Sequence, residues 1–239
     1  MSEFNTQTRG FAQDDVNAYL IKVFGKMGLG MLVTAIVAAI TYFTGAFYYF
    51  YSAFGGIGTV LLCVVEFGVV MYLSSRITTM STGTANALFL VYCAITGFTF
   101  STLIAGYGIG TVFEAFAFAA VLFGSCAIIG HTTHRDLSKF STLIMGGLIA
   151  LVIASIASIF IPALRNSLII SYLGVIIFLA LTAWDMQKIK SLYYQVGGYG
   201  QVAENMAIYG AFQLYLDFIN IFLYVLRILG SRSSRDWRN

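Results

Sequence analysis

Residues Gly28 to Phe43 read GLGMLVTAIVAAITYF, an unbroken run with no charged side chain. A helix packed on the surface of a soluble protein would show a polar face within that length, and a barrel strand would alternate in short segments. An extended run fits a helix crossing lipid, where every backbone amide must find its partner inside the element. Taken from Met27 to Tyr49, the stretch matches the roughly 20 residues needed to cross a hydrocarbon core about 30 Å thick.

Six similar runs follow, at 57–76, 85–106, 111–130, 140–161, 167–190 and 205–229, the fourth of these ending at Pro162, the sole proline. Connections such as Gly55-Gly56 and Tyr107 to Gly110 are short, so neighbouring helices are expected to run antiparallel in one bundle. The fold class is therefore all-α, a polytopic membrane protein of seven transmembrane helices. Three segments are expected: 1–26 as an N-terminal cytoplasmic or interfacial piece, 27–230 as the membrane domain, and 231–239 as a short basic tail. Asp14 and Asp15 can cap a helix in which Val16, Tyr19, Leu20, Val23 and Phe24 recur at helical spacing, an interfacial lead into the first span.

Composition agrees. Of 239 residues 59% are hydrophobic and 10% charged, too little charge to cover a soluble fold. The net charge of +3 is spread as single flanking residues, which excludes a nucleic-acid surface. Cys63, Cys93 and Cys126 each lie inside an apolar run and read as buried small hydrophobes rather than disulfide partners.

Orientation follows the basic residues. With the N-terminus inside, Arg9, Lys22, Lys26, Arg76, Arg135, Lys139, Lys188 and Lys190 all fall on the inner side, against Arg165 on an outer loop. A full seventh crossing would place Arg227, Arg232, Arg235 and Arg238 outside. The early helices are expected to dominate over that tail.

Charges within the spans are the functional candidates, because an ionised carboxylate at mid-depth costs at least about 2.5 kcal/mol. Glu66, Glu114, Asp185 and Asp217 qualify. The seventh run, QLYLDFINIFLYVLR, carries Gln213, Asp217, Asn220, Tyr224 and Arg227 at spacings of 4, 3, 4 and 3, a single polar stripe. Such a stripe cannot face lipid, so this helix is expected to be enclosed by the others, lining a polar network or a water-filled path. Asp185 lies in LTAWDMQKIK, and the turn QVGGYGQ falls near the midpoint between the two aspartates. An antiparallel hairpin returns Asp217 to the depth of Asp185, where two close carboxylates titrate as a coupled unit. Alternatively, Asp185 simply reaches water beside Lys188 and Lys190. Arg76 ends the second span on the same expected side and can pair with Asp185 as a latch, although an interfacial arginine also snorkels to head groups. Glu66 needs another partner, such as a hydroxyl, and Glu114 marks an interface. His131 and His134 form H-x-x-H in a polar loop without further ligand spacing, so no metal is expected there. No cofactor is expected.

The segments LTAWDMQKIK and LYLDFINIFLYVLRILG resemble the signature of the Bax inhibitor-1 family, the transmembrane Bax inhibitor motif proteins. EFGVVMYLSSRI and ALFLVYCAITGFT in the second and third spans resemble it too, so the likeness runs from residue 15 onward. The absence of a long proline-rich N-terminal extension resembles bacterial members, which implies a bacterial cytoplasmic membrane. The resemblance implies a seven-helix fold with the last helix central and a pH-sensitive calcium leak. It further implies Asp185 and Asp217 as the sensing dyad and Arg76 as the latch.

Calcium takes oxygen ligands, so Asp185, Asp217 and Glu66, with Gln213, Asn220 and Tyr224 beside them, are candidate ion-path residues, with calcium as the permeant ion and the lipid bilayer as partner. Two other classes are open. An intramembrane aspartyl protease also needs two aspartates on adjacent late helices. That family would show G-x-G-D on one helix with P-A-L nearby; here the second aspartate sits in L-Y-L-D-F with no such proline beside it, and an enzyme is not expected. A non-conducting regulator of other membrane proteins would use small residues such as Gly28 and Gly30 for helix contacts.

Overall fold

A computed structural model describes residues 2–133, 135–161, 167–197 and 200–236, with side chains described from 15 to 158 and up to 231 within those ranges. His134, Pro162, Arg165 and Arg238 therefore lie outside the described residues, as do the side chains of Arg9, Asp14, Arg232 and Arg235. The elements are α1 (Ser2–Thr44), α2 (Ala46–Arg76), α3 (Thr82–Tyr107), α4 (Ile109–Thr132), a 3-10 turn (Leu137–Phe140), α5 (Ser141–Phe160), α6 (Leu168–Gln195) and α7 (Gly200–Asp236). Seven of these helices are long and apolar enough to cross a membrane. No strand occurs among the described residues. The chain is an all-helical polytopic membrane protein.

Left-handed glycines set the helix ends. Gly45 (φ 66°) ends α1 after Thr44, five residues before the end expected from hydropathy, and its amide donates to the Tyr42 carbonyl at 3.2 Å. Gly55 (φ 61°, ψ −153°) then breaks α2 internally. The expected connection at Gly55-Gly56 is thus the second of two breaks, with a short helical piece between them. Hydropathy missed the first because aromatic residues flank Gly45 on both sides and keep the run apolar. A positive φ costs glycine nothing and costs other residues a Cβ clash. Gly108 (φ 81°) separates α3 from α4, and Gly197 (φ 72°) and Gly200 (φ 85°) bracket the turn into α7. At the N-terminus the expected lead and first span are one continuous helix of 43 residues.

The chain divides into two compact units, one formed by Met1–Gly106 with Ile189–Tyr215 and the other by Tyr107–Lys188 with Leu216–Asn239. In the first, Val16, Val23 and Met27 of α1, Phe89 and Cys93 of α3 and Phe212 and Tyr215 of α7 are all buried. Phe89 packs edge-on against both Phe212 and Tyr215, at centroid distances of 6.1 and 5.8 Å. Glycines allow this closeness: a Cβ on Gly97 would meet the Thr34 carbonyl oxygen at 2.5 Å, and one on Gly30 would meet Phe89 Cζ at 2.6 Å. Gly28, by contrast, has nothing within 4 Å. Lipid removes the hydrophobic drive between helices, so van der Waals contact of this kind must hold them.

In the second unit, Ala115, Ala119, Phe123, Ala127 and Gly130 form the buried stripe of α4. Phe218 of α7 sits edge-on to Phe116 and Phe123, with centroids 5.2 and 5.7 Å apart. A Cβ at Gly130 would stand 2.4 Å from the Ala183 carbonyl oxygen, so α4 and α6 touch backbone to backbone. Of the seven helices α7 is the most enclosed, with 56% of its apolar window buried against 11% for α2 and 6% for α5. The enclosure expected from its polar stripe is present.

Candidate functional site

Asp185 and Asp217 both belong to the second unit. The α6 and α7 segments run past one another there. Tyr224 lies against Gly174, where a Cβ would come within 2.5 Å of its ring, and its ring centroid is 6.0 Å from that of Phe178. Each turn back along α6 meets a turn forward along α7, which brings Thr182 beside Asp217. Asp185 and Asp217 are 6% and 5% exposed, and they interact electrostatically with one another and with Lys188. The antiparallel hairpin thus brings both carboxyls into one buried electrostatic environment.

Hydrogen bonding around the pair is incomplete. Asp217 Oδ2 has no partner. The Thr182 hydroxyl lies beside Asp217 and is within reach of the Phe178 carbonyl at 2.8 Å. A buried carboxyl oxygen left this way costs free energy that a fully satisfied network would not. Lys188 stacks over the Trp184 ring with its Nζ 5.6 Å from the centroid. Gln187, between the aspartate and that lysine, clamps the α4–α5 connection: its amide donates to the Arg135 carbonyl at 2.8 Å and its oxygen accepts from the Leu137 amide at 3.0 Å. The short motif around Asp185 therefore also ties α6 to the α4–α5 connection.

The remaining sequence candidates divide between the two units. Arg76 is exposed at the end of α2, in the first unit rather than that of the aspartates, and its carbonyl caps the following turn by accepting from the Thr79 and Met80 amides, each at 3.0 Å. Glu66, half-buried, accepts from the Thr99 hydroxyl at 3.3 Å. Gln213 belongs to the first unit, where its Oε1 has no partner. Asn220 turns its amide back to the Leu216 carbonyl at 2.8 Å. Tyr224 is buried, with Arg227 6.0 Å over its ring. Glu114 is exposed. His131 closes α4, and among the described residues no group of three His, Cys, Asp or Glu could hold a metal ion. Cys63, Cys93 and Cys126 are unbridged, and only Cys93 is fully buried.

Two features of the first unit carried no signal in the sequence. The Thr34 and Tyr215 hydroxyls meet at 2.7 Å, and Thr34 also reaches the Cys93 carbonyl at 3.0 Å. Periodicity counts threonine among small core residues, so the contact is invisible to it. Asn205, fully buried in α7, donates to the carbonyls of Ile77 and Met80 and accepts from Thr82. Only the fold brings residues more than a hundred positions apart together.

Comparison with known proteins extends over nearly the whole chain. The family model described as "Inhibitor of apoptosis-promoting Bax1" matches residues 16–234. A protein of Rickettsia prowazekii is 36% identical over 219 residues, 92% of each chain. "Inner membrane protein YbhL" of Escherichia coli is 34% identical over 220 residues, covering 91% of this chain and 93% of its own length. An "uncharacterized membrane protein" of Streptococcus pyogenes is 33% identical over 232 residues, covering 92% and 96%.

Proposed function

This chain belongs to the Bax inhibitor-1 family, and from that premise we propose that it is a pH-sensitive calcium leak pathway gated by Asp185 and Asp217. The observation that carries the reading is the buried pair itself: two carboxyls in electrostatic contact, one with an oxygen lacking any partner. A pair of that kind changes its net charge as one unit, and a change of charge in a buried place biases any two arrangements of the helices around it. Calcium, a hard cation, is served by the oxygens of these residues and of Glu66, with Gln213, Asn220 and Tyr224 as further candidates along α7. Arg76 acts as the latch in this reading. The protein sits in a bacterial cytoplasmic membrane with its N-terminus inside, as the placement of lysine and arginine supports.

Calcium flux from proteoliposomes across a pH series, with Asp217→Asn beside the parent, is the test. The variant is expected to lose the pH dependence of the flux; an unchanged profile would sink the dyad model. The description of the family as an inhibitor of apoptosis-promoting Bax1 favours a second reading, a non-conducting regulator that binds another membrane protein. No flux from the purified parent, together with stable co-purification of a partner, would establish that reading instead.

A further inference from the structure

In the first unit two left-handed glycines cut the piece 46–54, AFYYFYSAF, from the rest of α2: Gly45 stands before it and Gly55 after it. The helix axis turns sharply at the second break. Cβ atoms four residues apart in an unbroken helix are about 5–6 Å from one another, yet a Cβ on Gly58 would stand 2.5 Å from that of Phe54. Phe47 and Phe50 hold the piece to α3, their ring centroids 5.5 and 5.4 Å from that of Phe98. Tyr48 and Tyr49, on the remaining arc, are 72% and 70% exposed.

Neither neighbouring span needs these residues. At about 1.5 Å per residue the helical stretches 26–44 and 56–76 each reach about 30 Å, the thickness of a hydrocarbon core. The piece between them therefore lies beyond the core. It is not built for water either: no charged residue occurs between Lys26 and Glu66, or between Arg76 and Glu114, so both chain segments at this end of the unit are uncharged. Tyrosine suits the level in between, where its ring meets lipid chains and its hydroxyl meets head groups. Behind the piece a cleft of about 430 Å³ opens at Gly45, with Tyr48 and Tyr51 on one wall and the hydroxyl residues Thr41, Ser101 and Thr102 on the others. Aromatic walls with hydroxyls and no charge again match the boundary between tails and head groups.

We propose that 46–54 is an interfacial helix whose partner is the phospholipid head-group layer. Phe47 and Phe50 dock it on α3, and Tyr48 and Tyr49 anchor its outer arc among the head groups. The two glycine breaks serve this placement, because they let the chain leave one span, run at the membrane surface and enter the next. The cleft behind the helix then opens at the level of the lipid glycerol esters.

The test places spin labels, one at a time, on the full-length chain with Cys63, Cys93 and Cys126 replaced by alanine, in vesicles of phosphatidylethanolamine and phosphatidylglycerol. Labels go at Tyr49→Cys and Ser52→Cys in the piece, at Val64→Cys, 59% exposed in the following span, and at Lys139→Cys in the exposed α4–α5 connection. Collision with oxygen, which concentrates in hydrocarbon, and with a water-soluble nickel chelate gives the depth of each. Tyr49 and Ser52 should share one depth, shallower than Val64 and less open to nickel than Lys139. Tyr48→Ala with Tyr49→Ala should raise nickel collision at the Ser52 label severalfold. Tyr48→Trp with Tyr49→Trp keeps interfacial rings and should leave it at the parent value. The Val64 label shows whether the alanine variant has kept its span, and the parent depths decide by themselves if it has not. Nickel collision at Tyr49 and Ser52 equal to that at Lys139 would put the piece in water, and a depth equal to that of Val64 would put it in the core. Either result, or an alanine variant that keeps its span and matches the parent at Ser52, would overturn the proposal.

Discussion

The side-chain amide of Asn205 donates to the Met80 carbonyl at 2.8 Å, and its second hydrogen reaches the Ile77 carbonyl at the same distance. One buried residue of α7 thereby supplies donors to the C-cap of α2 and to the turn that leads to α3. The end of a helix leaves carbonyls without partners, and in this place a side chain from a distant part of the chain supplies the donors.

Replacing Asn205 with Ala should therefore destabilise the first unit by about 1–3 kcal/mol, the desolvation cost of the Ile77 carbonyl left unpaired, while the Met80 carbonyl keeps the Gln201 amide at 3.1 Å. Unfolding in a denaturing detergent series measures this. A midpoint equal to that of the parent would show that water reaches the turn and satisfies the Ile77 carbonyl.

Gly130→Ala and Gly28→Ala make a matched pair. The Gly130 methyl would stand 2.4 Å from the Ala183 carbonyl oxygen, which belongs to backbone and cannot swing away. Separating α4 from α6 should cost about 1–3 kcal/mol, as overpacking does elsewhere. At Gly28 nothing lies within 4 Å, so alanine should be neutral or stabilising by up to about 1 kcal/mol through helix propensity. Equal effects at the two positions would contradict the close approach.

For the aspartate pair the expectation is non-additivity. If Asp185 and Asp217 act as one titrating unit, Asp185→Asn and Asp217→Asn should each abolish the pH dependence of calcium flux, and the double variant should add little. Separate, summing effects of the two variants would mean that the carboxyls work independently.

Outside the membrane segments, the Ser138 hydroxyl and then the Ser138 amide, at 2.5 and 2.9 Å, hold the Asp136 carboxyl below the usual carboxylate range. A group depressed in the folded state contributes stability that is present above the unfolded value, about 3.9, and is lost as pH falls through the lower folded value. Asp136 is fully solvent-exposed, so the effect should be confined to the 3-10 turn it caps. Carboxyl-carbon NMR should show its titration midpoint moving upward in Ser138→Ala; an unmoved midpoint would remove the hydroxyl as the cause.

Legibility in the sequence differed from residue to residue. The spans were legible because lipid imposes a constraint that acts along the chain, and a run such as Gly28 to Phe43 satisfies it locally. The stripe through Asp217 was legible for the same reason, since helical spacing alone puts Gln213, Asn220 and Tyr224 on its face. What those residues do was not legible: Asn220 turns back on its own helix, and Tyr224 fills the space left by Gly174. Hydropathy also blurred the first connection, where Gly45 breaks the helix amid aromatic residues.

By itself, then, the sequence determined that this protein is a bundle of membrane-crossing helices whose last helix must be enclosed, because hydrophobicity and helical period are properties of neighbouring residues. Only the tertiary structure decided which polar groups find partners. Asn205 and Thr34 are satisfied by residues far away in the chain, while the Tyr19 hydroxyl and one oxygen of Asp217 are not. The reason is that a hydrogen bond depends on distances of about 3 Å between atoms, and such distances are set by how helices pack, which no local pattern records.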